Sequence, residues 1–86
     1  MISVAIVDDQ RDIREGLKLI IDSAEGFKCV NVYSDGESAV EGIKSLHPDV
    51  VLMDIELPEM SGIDATKVLK REVPDTDVIM LTVHTD

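Results

Sequence analysis

Apolar runs alternate with amphipathic segments along this chain of 86 residues. Residues 2–7 form an almost wholly apolar run, which is typical of a strand that is covered on both faces. Residues 28–33 alternate between apolar and polar positions, and this pattern indicates a strand at the edge of a sheet. Two further apolar runs, at residues 50–53 and 78–81, predict a third and a fourth buried strand.

Three segments between these strands carry apolar residues at the spacing of one helix face. The first of them spans residues 12–24. Each segment opens with a pair of residues that resembles a capping box, namely Asp12 with Glu15, Ser34 with Glu37, and Ser61 with Asp64. We expect these helices to turn the following residues toward the core: Ile13, Leu17, Ile20, Ile21 and Ala24 in the first, Ala39, Val40, Ile43 and Leu46 in the second, and Ile63, Val68 and Leu69 in the third.

The predicted order of elements is therefore βαβαβαβ. Strands that alternate with helices indicate a parallel sheet whose connections are right-handed crossovers. If the first and third strands are neighbours and the second lies outside the first, the result is an α/β, flavodoxin-like fold, in which a parallel sheet of strand order 2-1-3-4 carries flanking helices. A chain of 86 residues is sufficient for one domain, and no internal boundary is visible in the sequence.

The composition narrows the classes of function. Eighteen acidic residues against eight basic ones give a formal net charge of -10, which disfavours direct binding of nucleic acid or an anionic membrane by this segment. The same charge suits cation binding or a partner with a basic surface. No apolar run approaches the roughly 20 residues that span a bilayer. Cys29 is the only cysteine, so we expect neither an intramolecular disulfide nor a cysteine zinc cluster, and we expect a cytoplasmic location.

Polar residues whose side chains could bind a ligand or react follow three of the predicted strands, at the point where each strand ends. Asp8 and Asp9 come after the first strand, Asp54 after the third and Thr82 after the fourth. Because ligands bind at the carboxyl ends of parallel strands, beside the point where strand order reverses, we expect these residues to converge. Carboxylates and water are the ligands that Mg²⁺ prefers. A carboxylate beside such an ion can attack an in-line phosphoryl group, and a nearby hydroxyl can bind the transferred phosphate.

Three sequence motifs give these residues a family context. They are Val-Asp-Asp at the end of the first strand, Met-Asp-Ile-Glu-Leu-Pro-Glu-Met-Ser-Gly at residues 53–62, and Val-Ile-Met-Leu-Thr at residues 78–82. In this order and spacing they resemble the receiver domain of two-component response regulators (the CheY-like domain). The local sequence around Asp54 and Thr82 is most similar to that of regulators of the NarL/FixJ type, which carry a helix-turn-helix output domain.

The resemblance implies a role for each site residue. Asp54 would accept a phosphoryl group from a sensor histidine kinase. Asp9 and the Asp54 carboxylate would hold Mg²⁺, with the backbone carbonyl of Glu56 as a third protein ligand. Asp8 would act mostly through coordinated water. Thr82 would turn toward the phosphate and so report its presence.

The resemblance also implies a context for the chain. Residues 1–86 would form a receiver domain that is not an enzyme, is incomplete at its C-terminus and is truncated before the last strand. It would control an output domain, of the DNA-binding transcription type, that is absent from this chain. A receiver normally continues to a fifth strand whose lysine pairs with the phosphate, so we expect weak or absent phosphorylation of this chain by itself. We also expect the fourth strand to be an exposed edge that promotes self-association.

Other functions remain compatible with the same residues. The chain can be an interaction module that binds partners without phosphorylation, or a folding fragment without activity. It can also be an aspartyl-nucleophile phosphatase of the haloacid-dehalogenase type. That class uses a second acid two residues after the nucleophile, and Glu56 stands at this position relative to Asp54.

Overall fold

A computed structural model describes residues 1–81 as four strands that alternate with three helices. The strands agree with the predicted ones to within one residue at each end. None of the helices among these residues is long and apolar enough to cross a membrane. The elements are β1 (Ile2–Val7), α1 (Arg11–Ser23), β2 (Phe27–Tyr33), α2 (Gly36–Leu46), β3 (Val50–Asp54), α3 (Gly62–Glu72) and β4 (Asp77–Leu81).

The four strands form one parallel sheet in the order β2-β1-β3-β4, which confirms the predicted topology. The chain moves from β1 to β2 on one side and then returns to place β3 on the other side of β1. Strand order therefore reverses between β1 and β3. In this pair Val7 lies opposite Met53, so the residues that follow them leave the sheet side by side.

The core lies on both faces of the sheet, because alternate side chains of a strand point to opposite faces. On one face, α2 and α3 cover the larger cluster, while α1 covers part of the other face and packs mainly on β1 and β2. The first cluster includes Ala5, Val7, Ile43, Val51, Met53 and Leu69, and the second includes Val4, Ile6, Cys29, Leu17, Ile21 and Leu52.

The start of α1 differs from the prediction. The helix begins at Arg11, Gln10 occupies the N-cap position without a side-chain capping bond, and Asp12 lies inside the first turn. The predicted capping box of Asp12 with Glu15 is therefore wrong. Its place is taken by Asp8, whose carboxylate accepts a hydrogen bond from the Gln10 amide (2.8 Å) and directs the chain into the helix.

The starts of the other two helices agree with the prediction to different degrees. Ser61 caps α3 as predicted, and its hydroxyl accepts a hydrogen bond from the Asp64 amide at 3.1 Å. The box predicted for α2 is displaced by one residue, because Asp35 rather than Ser34 is the N-cap. The Asp35 carboxylate accepts a hydrogen bond from the Ser38 amide at 2.8 Å. Aspartate and serine are comparable caps, so the sequence alone does not choose between neighbours of these two types.

Several apolar residues that were predicted to face the core are exposed. Ile63, in the first turn of α3, is 51% exposed, and Leu46, the last residue of α2, is 43% exposed. Both lie at helix ends. Ile20 is 64% exposed, because Leu17 and Ile21 are the residues of α1 that pack on the sheet. These three expectations, and that for the exposed Ala24, were wrong.

Candidate metal and nucleophile site

Asp8, Asp9 and Asp54 form one acidic cluster at the carboxyl edge of the sheet. One carboxylate oxygen from each residue lies within 4.8 Å of the others. The register of β1 and β3 produces this arrangement, because Asp8 follows Val7 and Asp54 follows Met53, which lie opposite each other. The structure thus brings together the three acids that the sequence placed at strand ends.

Asp8 is the most firmly held member of the acidic cluster and is only 3% exposed. Its main-chain amide donates to the carbonyl oxygen of Tyr33 at 3.1 Å, which continues the pairing of β1 with β2. Its carboxylate Oδ1 accepts from the Gln10 amide, and its main-chain carbonyl accepts from Arg14 Nη1 at 2.8 Å. With Oδ1 engaged, Oδ2 is the carboxylate oxygen available to a cation.

Asp54 is half-buried at the end of β3, and its carboxylate Oδ1 accepts a hydrogen bond from the Glu56 amide at 3.1 Å. Burial raises the pKa of this carboxyl group, and the negative charges of Asp8, Asp9 and Glu56 raise it further. The hydrogen bond from Glu56 opposes these effects on the pKa. Asp54 is therefore a partly desolvated carboxylate of raised basicity that lies among like charges. A bound cation would reduce the repulsion between these charges.

The loop from β3 to α3 packs closely against Asp54. Leu57 anchors it in the core, with 9% of its side chain exposed. The Gly62 amide donates to the carbonyl oxygen of Ile55 at 2.9 Å, and a Cβ atom at position 62 would overlap the carbonyl oxygen of Asp54. Gly62, the first residue of α3, thus packs directly against the main chain of Asp54. This contact holds in place the backbone from which the Asp54 side chain projects.

The donor set fits a hard divalent cation. It consists of carboxylate oxygens from three residues, two of which, Asp8 and Asp54, have one oxygen fixed by a local main-chain amide. The two ion pairs among residues 1–81 are Arg11 with Glu15 and Lys18 with Asp22, so neither competes for these oxygens. Mg²⁺ prefers oxygen ligands and accepts a small number of carboxylates together with water.

Comparison with known proteins assigns this chain and its fold to a family. The family model of the response regulator receiver domain matches residues 4–86. The chain belongs to this family. The parallel sheet, its strand order and the acidic cluster at its carboxyl edge agree with a receiver domain of two-component response regulators.

Individual relatives agree with this assignment. The receiver domain is 41% identical over 85 residues to the transcriptional regulatory protein DegU of Brevibacillus brevis, which covers 99% of this chain and 36% of DegU. It is similar to the crystal structure of the response regulator domain of Thermotoga maritima CheB, with a TM-score of 0.92 and 43% identity, over 100% of this chain and 63% of that one. A similar structure comes from the CheX-CheY-BeF3-Mg²⁺ complex of Borrelia burgdorferi, with a TM-score of 0.89 and 32% identity, over 99% of this chain and 64% of that one. The receiver thus spans little more than a third of the length of DegU.

The remaining predicted site residues of the receiver have different outcomes. Thr82 lies outside the described residues, although Leu81 before it pairs with Asp54 across β3 and β4. The Glu56 side chain is exposed, and its main-chain amide is the group that contacts Asp54. The ligand role of the Glu56 carbonyl stays a prediction.

Two contacts near the acidic cluster were missed by reasoning from the sequence. Arg14 reaches the Asp8 carbonyl, and Gly62 lies against Asp54. Both act on main-chain atoms of the site, so no pairing of complementary side chains in the sequence points to them. The only hint for Arg14 is a basic residue in the second turn of a helix that follows an acidic loop.

Proposed function

We propose that this receiver domain takes a phosphoryl group onto Asp54 from the phosphohistidine of a sensor kinase, with Mg²⁺ as cofactor. The observation that carries the proposal is the convergence of Asp8, Asp9 and Asp54 within 4.8 Å at the switch point of the sheet. The Borrelia relative, whose complex contains beryllofluoride and Mg²⁺, supports the choice of ligands.

The cation would be held by a small number of protein oxygens. Asp9 and Asp54 offer carboxylates directly, the Glu56 main-chain carbonyl offers a third ligand, and Asp8 acts mostly through water. When bound, Mg²⁺ supplies positive charge that offsets the repulsion between the carboxylates and an incoming phosphoryl group.

The transfer itself is a displacement at phosphorus by Asp54. Oδ1 accepts a hydrogen bond from the Glu56 amide and keeps a second lone pair that can face the cation, so Oδ2 is the oxygen left to attack phosphorus. A bond forms between Asp54 Oδ2 and phosphorus as the bond between phosphorus and the histidine nitrogen breaks, and the nitrogen keeps the electron pair. The raised pKa of Asp54 favours this role, because a more basic carboxylate is a better nucleophile.

The phosphorylated receiver would act on other parts of its parent protein. In the proposed sequence of events Thr82 turns toward the phosphate, and the change is transmitted to an output domain of the DNA-binding transcription type. The description of DegU as a transcriptional regulatory protein supports this type of output.

We propose that the domain has no enzymatic turnover of its own, does not contact nucleic acid directly and resides in the cytoplasm. Self-association through β4, an edge strand of the described sheet, is also part of the proposal.

The phosphatase alternative has less support at this site. It requires the side chain of Glu56 to act as a general acid next to Asp54. Glu56 instead contacts Asp54 through its main-chain amide, while its side chain is exposed.

Titration with Mg²⁺, followed by addition of beryllofluoride as a phosphate mimic, tests the proposal. The 86-residue chain should bind the cation first and the mimic second, the mimic only weakly because this chain lacks the phosphate-pairing lysine that the resemblance implies. Asp54→Asn should abolish binding of the mimic. NMR spectra of the amides around Asp54 report both events.

Asp75→Asn is the matched control, since it removes the same charge at an exposed turn between α3 and β4. This variant should bind both ligands as the unmodified chain does. An interaction module without phosphorylation would give no response to the mimic, and equal binding by Asp54→Asn would contradict the assignment of the nucleophile.

A further inference from the structure

Arg14 connects α1 to the acidic loop that precedes it. The residue is half-buried in the second turn of the helix, and its guanidinium Nη1 donates to the main-chain carbonyl of Asp8 at 2.8 Å. Its main-chain amide donates to the carbonyl of Gln10 at 3.0 Å. The second bond is the ordinary backbone bond of the first helical turn, so the bond to the Asp8 carbonyl is the contact that the arginine side chain adds.

The oxygen that accepts the Arg14 side chain belongs to the peptide group between Asp8 and Asp9, and its position therefore affects Asp9. The Asp8 carbonyl is part of the planar unit that joins Asp8 to Asp9, so fixing its oxygen sets the direction in which Asp9 leaves. The other contacts of Asp8, with Tyr33 and Gln10, hold its amide and its carboxylate. The bond from Arg14 is thus the contact that orients the peptide on the Asp9 side.

The chemistry of the contact suits a metal site. An arginine paired with a carboxylate would occupy the oxygens that a cation needs. Arg14 takes part in neither of the two ion pairs found in residues 1–81, and its hydrogen bond to this loop is made to a carbonyl. It therefore holds the loop while leaving the carboxylate oxygens of the acidic cluster available.

We propose that Arg14 is a positioning residue for the acidic cluster, which holds Asp8 and Asp9 in the orientation where their carboxylates meet Asp54 around a divalent cation. The inference rests on the proposed Mg²⁺ site and adds a residue that acts through the Asp8 carbonyl. Replacing groups that orient metal ligands commonly lowers metal affinity by roughly 10–100-fold.

Arg14→Gln, compared with Arg11→Gln, tests the proposal in the 86-residue chain. Arg11 lies on the same helix and beside the same shallow cavity as Arg14, but its guanidinium pairs with the exposed Glu15. Mg²⁺ titration by calorimetry should show about tenfold weaker binding for Arg14→Gln. Arg11→Gln should bind no more weakly than the unmodified chain, because loss of a cation by itself reduces repulsion of Mg²⁺. Urea unfolding checks that both variants are folded during the titration.

A second pair, Arg14→Lys and Arg11→Lys, keeps the net charge and serves if Arg14→Gln does not fold. Arg14→Lys should bind Mg²⁺ more weakly than Arg11→Lys, since the ammonium lacks the planar fork of the guanidinium. In the metal-free protein, hydrogen exchange of the Gln10 amide should be faster in the Arg14 variants than in their Arg11 counterparts. Equal Mg²⁺ affinity and equal exchange within each pair would overturn the inference. If the unmodified chain does not bind Mg²⁺, the proposed function fails, and the exchange comparison still decides whether Arg14 orients the loop.

Discussion

Asp54 carries a charge that the proposed chemistry needs but that costs stability. Its carboxylate is partly desolvated, and two other carboxylates lie within 4.8 Å. Both conditions raise its pKa, so a proton binds the folded state more tightly than the unfolded state. The ionised residue consequently destabilises the fold at neutral pH, and this penalty is relieved as the pH falls through the raised pKa.

Asp54→Asn should therefore stabilise the metal-free chain at neutral pH by about 1 kcal/mol, the scale of one like-charge pair at 4 Å in water. Asparagine can still accept the hydrogen bond from the Glu56 amide through its Oδ1. The difference in the free energy of unfolding between variant and unmodified chain should shrink as the pH is lowered through the raised pKa. Urea unfolding at a series of pH values in a chelating buffer measures it.

Added Mg²⁺ should reverse the order of stability, because a ligand that binds the folded state stabilises it by mass action. The unmodified chain should gain stability with Mg²⁺, and Asp54→Asn should gain much less. Asp75→Asn, at an exposed position, controls for the change in net charge. An Asp54→Asn variant that is less stable at neutral pH would show that the carboxylate is not a source of strain.

Some of the site residues could be predicted from the sequence and others could not. Asp8, Asp9 and Asp54 were predictable because they directly follow apolar runs, and parallel strands end at one edge. Arg14 and Gly62 were not, because each acts on a carbonyl that every residue carries. Only the three-dimensional path of the chain shows which carbonyl lies within reach.

At the scale of elements, the junction between β3 and α3 leaves no space for a side chain at position 62. A Cβ at position 62 would overlap the carbonyl oxygen of Asp54 and approach the Ile55 Cα within 2.9 Å. These are backbone atoms, which cannot move aside as the end of a flexible side chain can. The start of α3 and the end of β3 must therefore shift together if position 62 carries a side chain.

Gly62→Ala should lower the free energy of unfolding by about 1–3 kcal/mol, the range for overpacking in a well-packed interior. Gly16→Ala is the control, since Gly16 lies within α1 and a Cβ at this position would meet no neighbouring atom within 4 Å. That variant should gain about 0.5–1 kcal/mol, because alanine favours a helix interior over glycine. Chemical denaturation of both variants measures the difference. A Gly62→Ala chain as stable as Gly16→Ala would show that the junction can relax without cost.

Elements were predicted more accurately in the strands than at the helix ends. Short apolar runs bounded by turn residues identified β1, β3 and β4. The expectation that β4 is a buried strand was wrong, because β4 lies at an edge of the described sheet and its Ile79 is 50% exposed. The helix starts depended on which of several polar residues caps the helix, and for α1 the decisive group was Asp8, outside the helix. Exposure of Ile20 depended on which apolar residues of α1 pack on the sheet, and Leu17 and Ile21 are the ones that do. Periodicity alone did not distinguish them from Ile20.

The whole molecule presents two sheet edges of different character. β2, at one edge, carries polar Lys28 and Asn31, which discourage pairing with another strand. β4, at the other, ends in Ile79, Met80 and Leu81, and within residues 1–81 it pairs only with β3. An apolar edge with unpaired main-chain groups is a template for a further strand. The second edge is thus the place where an 86-residue chain studied by itself should associate.

Ile79→Lys should weaken this association. Ile79 is 50% exposed and lies opposite Leu52, so lysine there adds charge to the edge with little loss of buried surface. Sedimentation velocity over a range of concentrations should show self-association of the unmodified chain and a shift toward monomer for Ile79→Lys. Leu19→Lys makes a similar change on α1, where the side chain is 69% exposed, and should leave association unchanged. If Leu19→Lys were the variant that restored the monomer, association would run through the helix face. A monomeric unmodified chain at every concentration would show that the edge of β4 is protected without a partner strand.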